Sequence, residues 1–314
     1  MSHWDAAFVF SEAMIGFSRW LAGLVAAAGL VVSLGSCGRR EDPPKAVAVA
    51  EDGRMELKLM TFNLRYENSG DSGRRAWRER VMQVVRVVMD ERPDVLGVQE
   101  GLHGQVADLR ASLPGYGFYG VGRDDGKRRG EYAALFFRKD RFEVDGEQCG
   151  TLWLSATPEL AGSATWGNEL PRVATWVRLV DRSNGRGLTV FNTHWDHRHQ
   201  GSREKAAGLL RERIAALGDG PVVVMGDFNA TGRNPALGRL TDGGALVETF
   251  QALRPDEADR TTLHFWKGSR SGRLKVDHIL VSAGAEVVEA AIRDGDVPLV
   301  SDHFPVTARV IFPK

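Results

Sequence analysis

The sequence lacks a surplus of charge, long apolar runs and cysteine, and these shortages narrow what the protein can be. Lysine and arginine number 41, and aspartate and glutamate also number 41, so no overall basic surplus draws the chain to nucleic acid. Long duplex DNA is therefore not the expected partner. The stretch Trp20–Leu34 is apolar or small throughout, yet it is too short to span a bilayer comfortably. Its length suits the core of a signal peptide.

The residues that end this stretch indicate export and a lipid anchor. Leu34-Gly35-Ser36-Cys37 resembles the lipobox of bacterial lipoproteins, in which the cysteine becomes the lipid-modified first residue. A buried core helix is the alternative for the apolar stretch. We expect residues 1–37 to be a lipoprotein-type signal peptide, with membrane attachment at Cys37 on the periplasmic or extracellular face of a bacterial cell envelope. Cys149 is then the only other cysteine, which leaves no intramolecular disulfide.

A tether and one folded domain are expected after the anchor. Residues 38–56 are polar and carry two adjacent prolines, which is typical of a flexible linker. Residues 57–314 are long enough for a single α/β domain with a large core. The apolar runs that suit buried strands are 57–62, 95–98, 132–137, 173–179, 188–193, 222–226, 276–281 and 304–311.

Helical patterns lie between some of these runs. The clearest spans 203–217, with Ser202 as the expected N-cap, and a second spans 77–91 and is stopped by Pro93. No helix separates the runs 173–179 and 188–193, which predicts an antiparallel hairpin. The mixture favours two packed sheets with helices on their outer faces.

Polar side chains mark the ends of four strand-like segments: Asn63, Glu100, Asp227 and Asp302. Singly, each is more often an ordinary strand end that carries a polar group. Together they are the kind of side chain that a sheet can hold around one small, oxygen-rich space for a hard cation and a phosphate.

The order of motifs along the chain resembles the endonuclease/exonuclease/phosphatase superfamily from about 57 to 312. The matching residues are, in order, Asn63, Glu100, His194, Asp227 with Asn229, Asp277, and Asp302 with His303. The resemblance implies a four-layer α/β sandwich, in which two packed mixed β-sheets are flanked by helices and the catalytic groups lie at one end of the sheets.

The resemblance also implies roles for these residues in hydrolysis of a phosphate ester. Glu100 would hold Mg²⁺, for which Mn²⁺ is a substitute, with help from Asn63. Asp302 would contribute to the same ion or to a second one. Asp227 would bind and activate the attacking water.

Three further catalytic groups complete the expected set. Asn229 would steady the water or the phosphate beside Asp227, although the two residues could instead form only an Asx turn. Asp277 would orient His303 and raise the pKa of its imidazole. Glu131 and His194 would form a similar pair, as in the pancreatic deoxyribonuclease branch.

Four residues are candidates for substrate binding. Arg172 could reach a substrate phosphate, with surface ion pairing as the alternative. Asp196 and His197 would line the pocket and help choose the leaving group. His264 lies in a segment that loosely matches a Thr-Phe-His loop near the site of secreted bacterial members.

Some histidines and tryptophans are candidates for a zinc site or for substrate stacking. His194, His197 and His199 would suit a zinc site by their spacing, but no cysteine accompanies them. Trp166 and Trp266 lie in Gly- and Ser-rich loops, where they are candidates for stacking on a substrate.

The leading hypothesis is a Mg²⁺-dependent phosphatase or phosphodiesterase, anchored at the cell envelope, which attacks a phosphate ester with activated water. An endonuclease or exonuclease is the first alternative; nucleic acid remains a possible partner but is not favoured. A catalytically inactive, surface-displayed binding protein is the second. We expect a monomer.

Overall fold

The computed structural model describes residues 53–218, 220–295 and 299–314. The predicted signal peptide with Cys37 and most of the predicted tether lie outside the described residues. The first strand begins at Met55, so the fold starts two residues before the predicted position 57.

Twelve strands of the described chain form two six-stranded sheets. In the first sheet, the spatial order is β11-β12-β1-β2-β4-β3, and its strands are β1 (Met55–Asn63), β2 (Val95–Gln99), β3 (Tyr116–Tyr119), β4 (Ala134–Arg138), β11 (Glu286–Ile292) and β12 (Val306–Phe312). Strands β1 and β2 are parallel, and the other neighbours in this sheet are antiparallel.

The second sheet has the spatial order β5-β6-β7-β8-β10-β9. Its strands are β5 (Phe142–Trp153), β6 (Val173–Asp181), β7 (Gly187–His194), β8 (Val222–Asp227), β9 (Leu246–Glu248) and β10 (Asp277–Ser282). Here β7 and β8 are parallel, and the remaining pairs are antiparallel. The predicted hairpin between 173–179 and 188–193 is confirmed as β6 and β7.

Five α-helices are described: α1 (Trp77–Glu91), α2 (His103–Ser112), α3 (Gln200–Ala215), α4 (Pro235–Thr241) and α5 (Thr249–Leu253). Short 3-10 turns span Gly73–Arg75, Asp242–Gly244 and Pro255–Glu257. The bounds of α1 agree with the prediction. The predicted cap of α3 is wrong, because the helix begins at Gln200 and the imidazole of His199 accepts the backbone N–H of Ser202 at 3.1 Å.

The core is layered, as alternation along β1 shows. Met55, Leu57 and Leu59 pack against apolar side chains of the second sheet, whereas Met60 and Phe62 pack on the opposite face with α1 and α2. Successive side chains of a strand point to opposite faces, so one strand contributes to two layers. On the outer face of the second sheet, side chains of β7, β8 and β10 pack against α3 and α4. The predicted four-layer α/β sandwich with two packed mixed sheets is confirmed.

Burial of apolar area is the main stabilising term of this arrangement. Each fully buried Leu, Val or Phe contributes about 1.5–3 kcal/mol relative to an exposed one. None of the helices in the described ranges has both the length and the apolar character needed to cross a membrane.

Candidate active site

The site lies where parallel strands of both sheets end. Strand β1 ends at Asn63, and β2 is followed directly by Glu100. In the second sheet, His194 and Asp227 end β7 and β8 and lie opposite each other in register. Asp277 begins β10 and pairs in register with Asp227. Because parallel strands end at the same edge of a sheet, five polar side chains from distant parts of the chain meet there.

The amide of Asn63 fixes the two nearest carboxylates. Its Nδ2 donates to Glu100 Oε1 at 3.0 Å and to Asp227 Oδ2 at 2.9 Å, and its Oδ1 accepts the backbone N–H of Arg65 at 2.9 Å. The amide oxygen is therefore engaged by the backbone. The residue presents N–H groups to both carboxylates and orients them, and its predicted help in metal binding stays a prediction.

Glu100 adopts a backbone conformation that few non-glycine residues tolerate. Its φ of 64° lies in the left-handed region. The carboxylate also accepts the backbone N–H of Tyr66 at 3.0 Å, so its direction is fixed from two sides. Such strain is held in place by surrounding structure and concentrates at functional sites.

Glu100, Asp227 and His303 each offer one ligand atom, and these atoms lie within 4.8 Å of one another. Asp302 directly precedes His303 in the chain, and burial raises the pKa of its carboxyl, against the opposing charge of His303. Its oxygens are only loosely engaged, at 3.5 Å from Ser301 Oγ and 3.8 Å from Arg65 Nη1. A donor set dominated by carboxylate oxygens fits Mg²⁺ or Mn²⁺.

Asp277 and His303 form the predicted pair. Asp277 Oδ2 lies 2.8 Å from His303 Nδ1, and both side chains are buried. Burial alone would lower the pKa of His303, but the charge and the hydrogen bond of Asp277 raise it to about 10. The imidazole is therefore a cation near neutral pH, and its Nε2 lies 3.9 Å from Asp227 Oδ2.

Asp227 is the most central carboxylate. Burial, and then the negative charge of Asp277, raise its pKa to about 7. Its Oδ1 accepts the backbone N–H of Asn229 at 2.9 Å, which is the Asx-type turn considered as the alternative. Asn229 has a φ of 46°, so the two residues are not in one extended segment, and its amide donates to the carbonyl of Trp195 at 3.0 Å.

His194 and Glu131 come together, but an arginine changes their relation. His194 Nδ1 lies 3.5 Å from Glu131 Oε2, and Arg123 Nη1 donates to that same oxygen at 2.6 Å. Burial, and then the charge of Arg172, lower the pKa of His194 well below its usual value. The predicted pair is thus a contact rather than a hydrogen bond, because Glu131 is held by Arg123.

Arg172 is buried beside the site, with 4% of its surface exposed, so it does not form a surface ion pair. Its Nη2 lies 2.9 Å from His197 Nδ1, and its Nε lies 3.8 Å from Asp196 Oδ2. Its Nε and Nη1 are buried and lack a hydrogen-bond partner within the part of the chain that the structure describes. Buried donors of this kind require an acceptor, and a phosphate oxygen is suited to an arginine fork.

Asp196 holds the loop that follows β7, and its predicted place in the substrate pocket stays a prediction. Its Oδ1 accepts the backbone N–H groups of Arg198 and His199 at 2.9 and 2.6 Å, and the side chain is buried. It therefore shapes the loop that presents His197, which is exposed.

His264 is buried as well, and its predicted contact with substrate stays a prediction. Its ring packs on Phe304 at a centroid distance of 4.0 Å, and burial together with the charge of His303 lowers its pKa to about 4. Its backbone N–H donates to the carbonyl of Asp302 at 2.8 Å. The residue supports the segment that carries Asp302 and His303.

The histidines of the zinc alternative make other contacts. His197 Nδ1 contacts Arg172, and His199 Nδ1 caps α3. The histidines that follow β7 therefore do not converge.

Arg80 is a residue of the site that the sequence pattern does not reveal. It lies on α1 with 1% of its surface exposed and donates to the carbonyls of Leu64, Arg65 and Val300. Burial lowers its pKa to about 10. One guanidinium thus ties the segment after Asn63 to the segment before Asp302.

Comparisons with known proteins identify the family of the chain. The model of the endonuclease/exonuclease/phosphatase family matches residues 60–303. No curated protein sequence gives a significant match.

Solved structures of similar proteins cover almost the whole described domain. A family protein from Bacteroides thetaiotaomicron is 30% identical with a TM-score of 0.76, covering 83% of this chain and 99% of that chain. A family protein from Bacteroides vulgatus is 33% identical with a TM-score of 0.74, covering 82% and 98%. A mannosyl-6-phosphatase from Bacteroides thetaiotaomicron is 30% identical with a TM-score of 0.74, covering 82% and 100%. The chain therefore belongs to the endonuclease/exonuclease/phosphatase family, whose members are hydrolases of phosphoesters and generally depend on a divalent metal.

Proposed function

We propose that the protein is a Mg²⁺-dependent phosphatase that hydrolyses phosphomonoesters with water activated by Asp227. The proposal is carried by the convergence of Glu100, Asp227 and His303, whose side-chain atoms lie within 4.8 Å of one another, so that a carboxylate for a metal ion, a base and an imidazole surround one space. Hydrolysis of a phosphate ester needs a cation for the phosphoryl oxygens, a base for water, and donors for the charge that develops in the transition state. A metal ion held by the carboxylates would supply the cation, Asp227 supplies the base, and the imidazolium of His303 supplies a donor.

Glu100 and Asp302 are the residues that would hold the metal ion. The bound ion would neutralise phosphoryl charge and lower the pKa of a water molecule. Mn²⁺ would serve as a substitute because it accepts the same oxygen ligands. Asn63 keeps Glu100 and Asp227 aligned through its two N–H contacts.

Asp227 and its neighbours provide the base and the groups that bind the phosphoryl oxygens. Asp227, whose pKa is raised to about 7, accepts the proton of the attacking water near neutral pH. His303 is kept protonated by Asp277 and stabilises negative charge on the phosphoryl group. Arg172 directs its unpartnered N–H groups to another phosphate oxygen. Water attacks phosphorus directly and gives its proton to Asp227, the bond between phosphorus and the ester oxygen breaks, and the departing oxygen takes a proton from solvent water. No covalent enzyme intermediate forms.

Two observations favour a phosphatase over a nuclease. The chain has 41 basic and 41 acidic side chains, which gives little steering toward a polyanionic polymer. One similar protein, at 30% identity, is a mannosyl-6-phosphatase. The lipobox-like sequence at Cys37 supports placement of the enzyme at the cell envelope.

An assay of the purified full-length chain tests the proposal. We expect turnover of para-nitrophenyl phosphate with Mg²⁺, loss of turnover with EDTA, and recovery when Mg²⁺ or Mn²⁺ is returned. Bis-para-nitrophenyl phosphate and plasmid DNA should be poorer substrates, and the activity of expressing bacteria should sediment with membranes. Turnover that persists in EDTA would contradict the proposed metal dependence. Faster cleavage of DNA than of the monoester would favour the nuclease alternative.

A further inference from the structure

A tight turn next to the segment that carries Asp302 and His303 is built from unusual residues. The backbone N–H of Lys267 donates to the carbonyl of His264 at 2.9 Å, and the two central residues, Phe265 and Trp266, have φ of 50° and 62°. Positive φ at both central positions is the type I′ turn, which normally takes glycine, asparagine or aspartate. Aromatic side chains in this conformation are strained, and such strain persists at sites where it serves a function.

This turn is fixed to the segment that carries the catalytic histidine. Leu263 forms a β-bridge with His303, and the backbone N–H of His264 donates to the carbonyl of Asp302 at 2.8 Å. The ring of His264 packs on Phe304. Phe265 therefore directly follows two residues, Leu263 and His264, whose backbones are bonded to His303 and Asp302.

The two aromatic residues of the turn have different surroundings. The ring of Trp266 lies 5.5 Å from the guanidinium groups of both Arg75 and Arg80, so it is part of the packing around Arg80. This placement argues against Trp266 as a free stacking surface, and Trp166 is likewise partly buried against the core beside α3. Phe265, in contrast, is 55% exposed. Packing does not explain why a phenylalanine occupies this strained position.

We propose that Phe265 determines specificity by packing against the leaving group of the substrate. The inference rests on the proposed phosphatase function and adds a substrate class, namely phosphomonoesters whose leaving group carries a hexose ring. The C–H face of a pyranose is apolar and flat enough to lie on an aromatic ring, whereas its hydroxyl groups remain free to bond elsewhere. The exposed His197, next to Arg172, offers such a polar contact.

Paired substrates test the inference on the full-length chain with Mg²⁺. For mannose 6-phosphate, we expect Phe265→Ala to lower kcat/KM about tenfold, because the ring contact is lost. For glycerol 3-phosphate, which has no ring, kcat/KM should stay within about twofold. Phe265→Tyr should behave as the wild type on both. Met82→Ala, at a side chain that is 66% exposed on α1, is the matched control and should change neither.

Thermal stability separates this role from a structural one. Phe265→Gly relieves the positive-φ strain, so the Tm should rise while the preference for the hexose phosphate disappears. A lower Tm together with equal losses on both substrates would overturn the inference.

Three other outcomes are also decisive. If Phe265→Ala lowers kcat/KM for adenosine 5′-monophosphate but not for mannose 6-phosphate, the hexose class is wrong and the leaving group is a nucleoside. Turnover of glycerol 3-phosphate without mannose 6-phosphate would overturn the inference and leave the phosphatase intact. If the wild type hydrolyses no phosphomonoester, the proposed function fails, and this inference fails with it.

Discussion

At the scale of single residues, Asp227 is the point on which the site converges. Its Oδ2 is 2.9 Å from Asn63 Nδ2, 3.6 Å from His194 Nε2 and 3.9 Å from His303 Nε2. A carboxylate there is surrounded by donors. The environment accommodates the charge, but burial keeps the pKa high enough for proton transfer.

We expect Asp227→Asn to lower kcat by about 10²- to 10⁴-fold, because an amide cannot accept the proton of the attacking water. The folded structure should persist, since the volume is unchanged. The measurement is kcat on para-nitrophenyl phosphate, with circular dichroism to verify the fold. Asp145→Asn, at a half-exposed carboxylate that pairs with Arg178, should keep full activity. An active Asp227→Asn variant would remove Asp227 from its assigned role.

The sequence predicts site residues at strand ends better than residues that act across elements. Asn63, Glu100 and Asp227 follow apolar runs, and that pattern places them at one edge. Arg80 and Arg123 carry no such signal: a helical arginine and an arginine in a loop are usually solvated, and only the tertiary fold brings them to buried carbonyl or carboxylate oxygens. For the same reason, the sequence could not show that Arg123 engages Glu131.

At the scale of elements, a buried ionic cluster joins strands β9 and β10 to helix α5. Glu248 ends β9 and caps α5 through the backbone N–H of Gln251 at 2.5 Å. Lys275 Nζ lies 2.8 Å from Glu248 Oε1 and 3.2 Å from the carbonyl of Asp277. His278 Nε2 reaches the carbonyl of Ala230 at 2.9 Å. The cluster therefore supports both Asp277 and the loop that follows Asp227.

The acid stability of the protein should depend on Glu248. Burial alone would raise the pKa of this carboxyl, but the charge of Lys275 lowers it to about 2, below its ordinary value of 4.5. A carboxyl with a depressed folded-state pKa stabilises the fold above its unfolded pKa, and that contribution disappears as the pH falls through the folded value. We expect a contribution of about 3 kcal/mol at neutral pH.

Urea unfolding of the wild type and Glu248→Gln tests this at pH 7, 5, 4 and 3. The difference in unfolding free energy should be largest at pH 7 and should shrink below about pH 4.5. Glu286→Gln, at an exposed position on β11, is the control and should show little difference at any pH. A difference for Glu248→Gln that does not change with pH would contradict the assigned charge of the pair.

The strands that the sequence pattern does not predict share one property. They are β3, β5, β9 and β11, and they are the edges of the two sheets. An edge strand is covered on fewer sides, so it needs no continuous apolar run; β5 and β11 alternate irregularly between buried and exposed residues. The central strands and α1 were predictable because burial imposes a strict pattern on them.

At the scale of the whole molecule, the two sheets are joined at the end opposite the site. Asp94 precedes β2, and Asp181 ends β6, so both lie away from the catalytic edge. Arg141 connects them, with Nη1 2.7 Å from Asp94 Oδ2 and Nη2 3.0 Å from Asp181 Oδ2. The sequence predicted two packed sheets but not this link. Its residues come from the ends of three different elements, and no periodic pattern marks them.

Arg141→Met should destabilise the fold without impairing catalysis. Within the described part of the chain, removal of the guanidinium leaves the buried Asp181 without an ion pair and leaves Asp94 with Arg138 alone, for which we expect a loss of about 3 kcal/mol in the free energy of unfolding. Because the link is at the far end of the sheets, kcat on para-nitrophenyl phosphate should be unchanged at temperatures where the variant is folded. Arg182→Met is the control, since Arg182 pairs with Glu143 at the surface and should contribute less than about 1 kcal/mol. A fall in kcat with no change in unfolding free energy would mean that this link positions the catalytic edge rather than stabilising the fold.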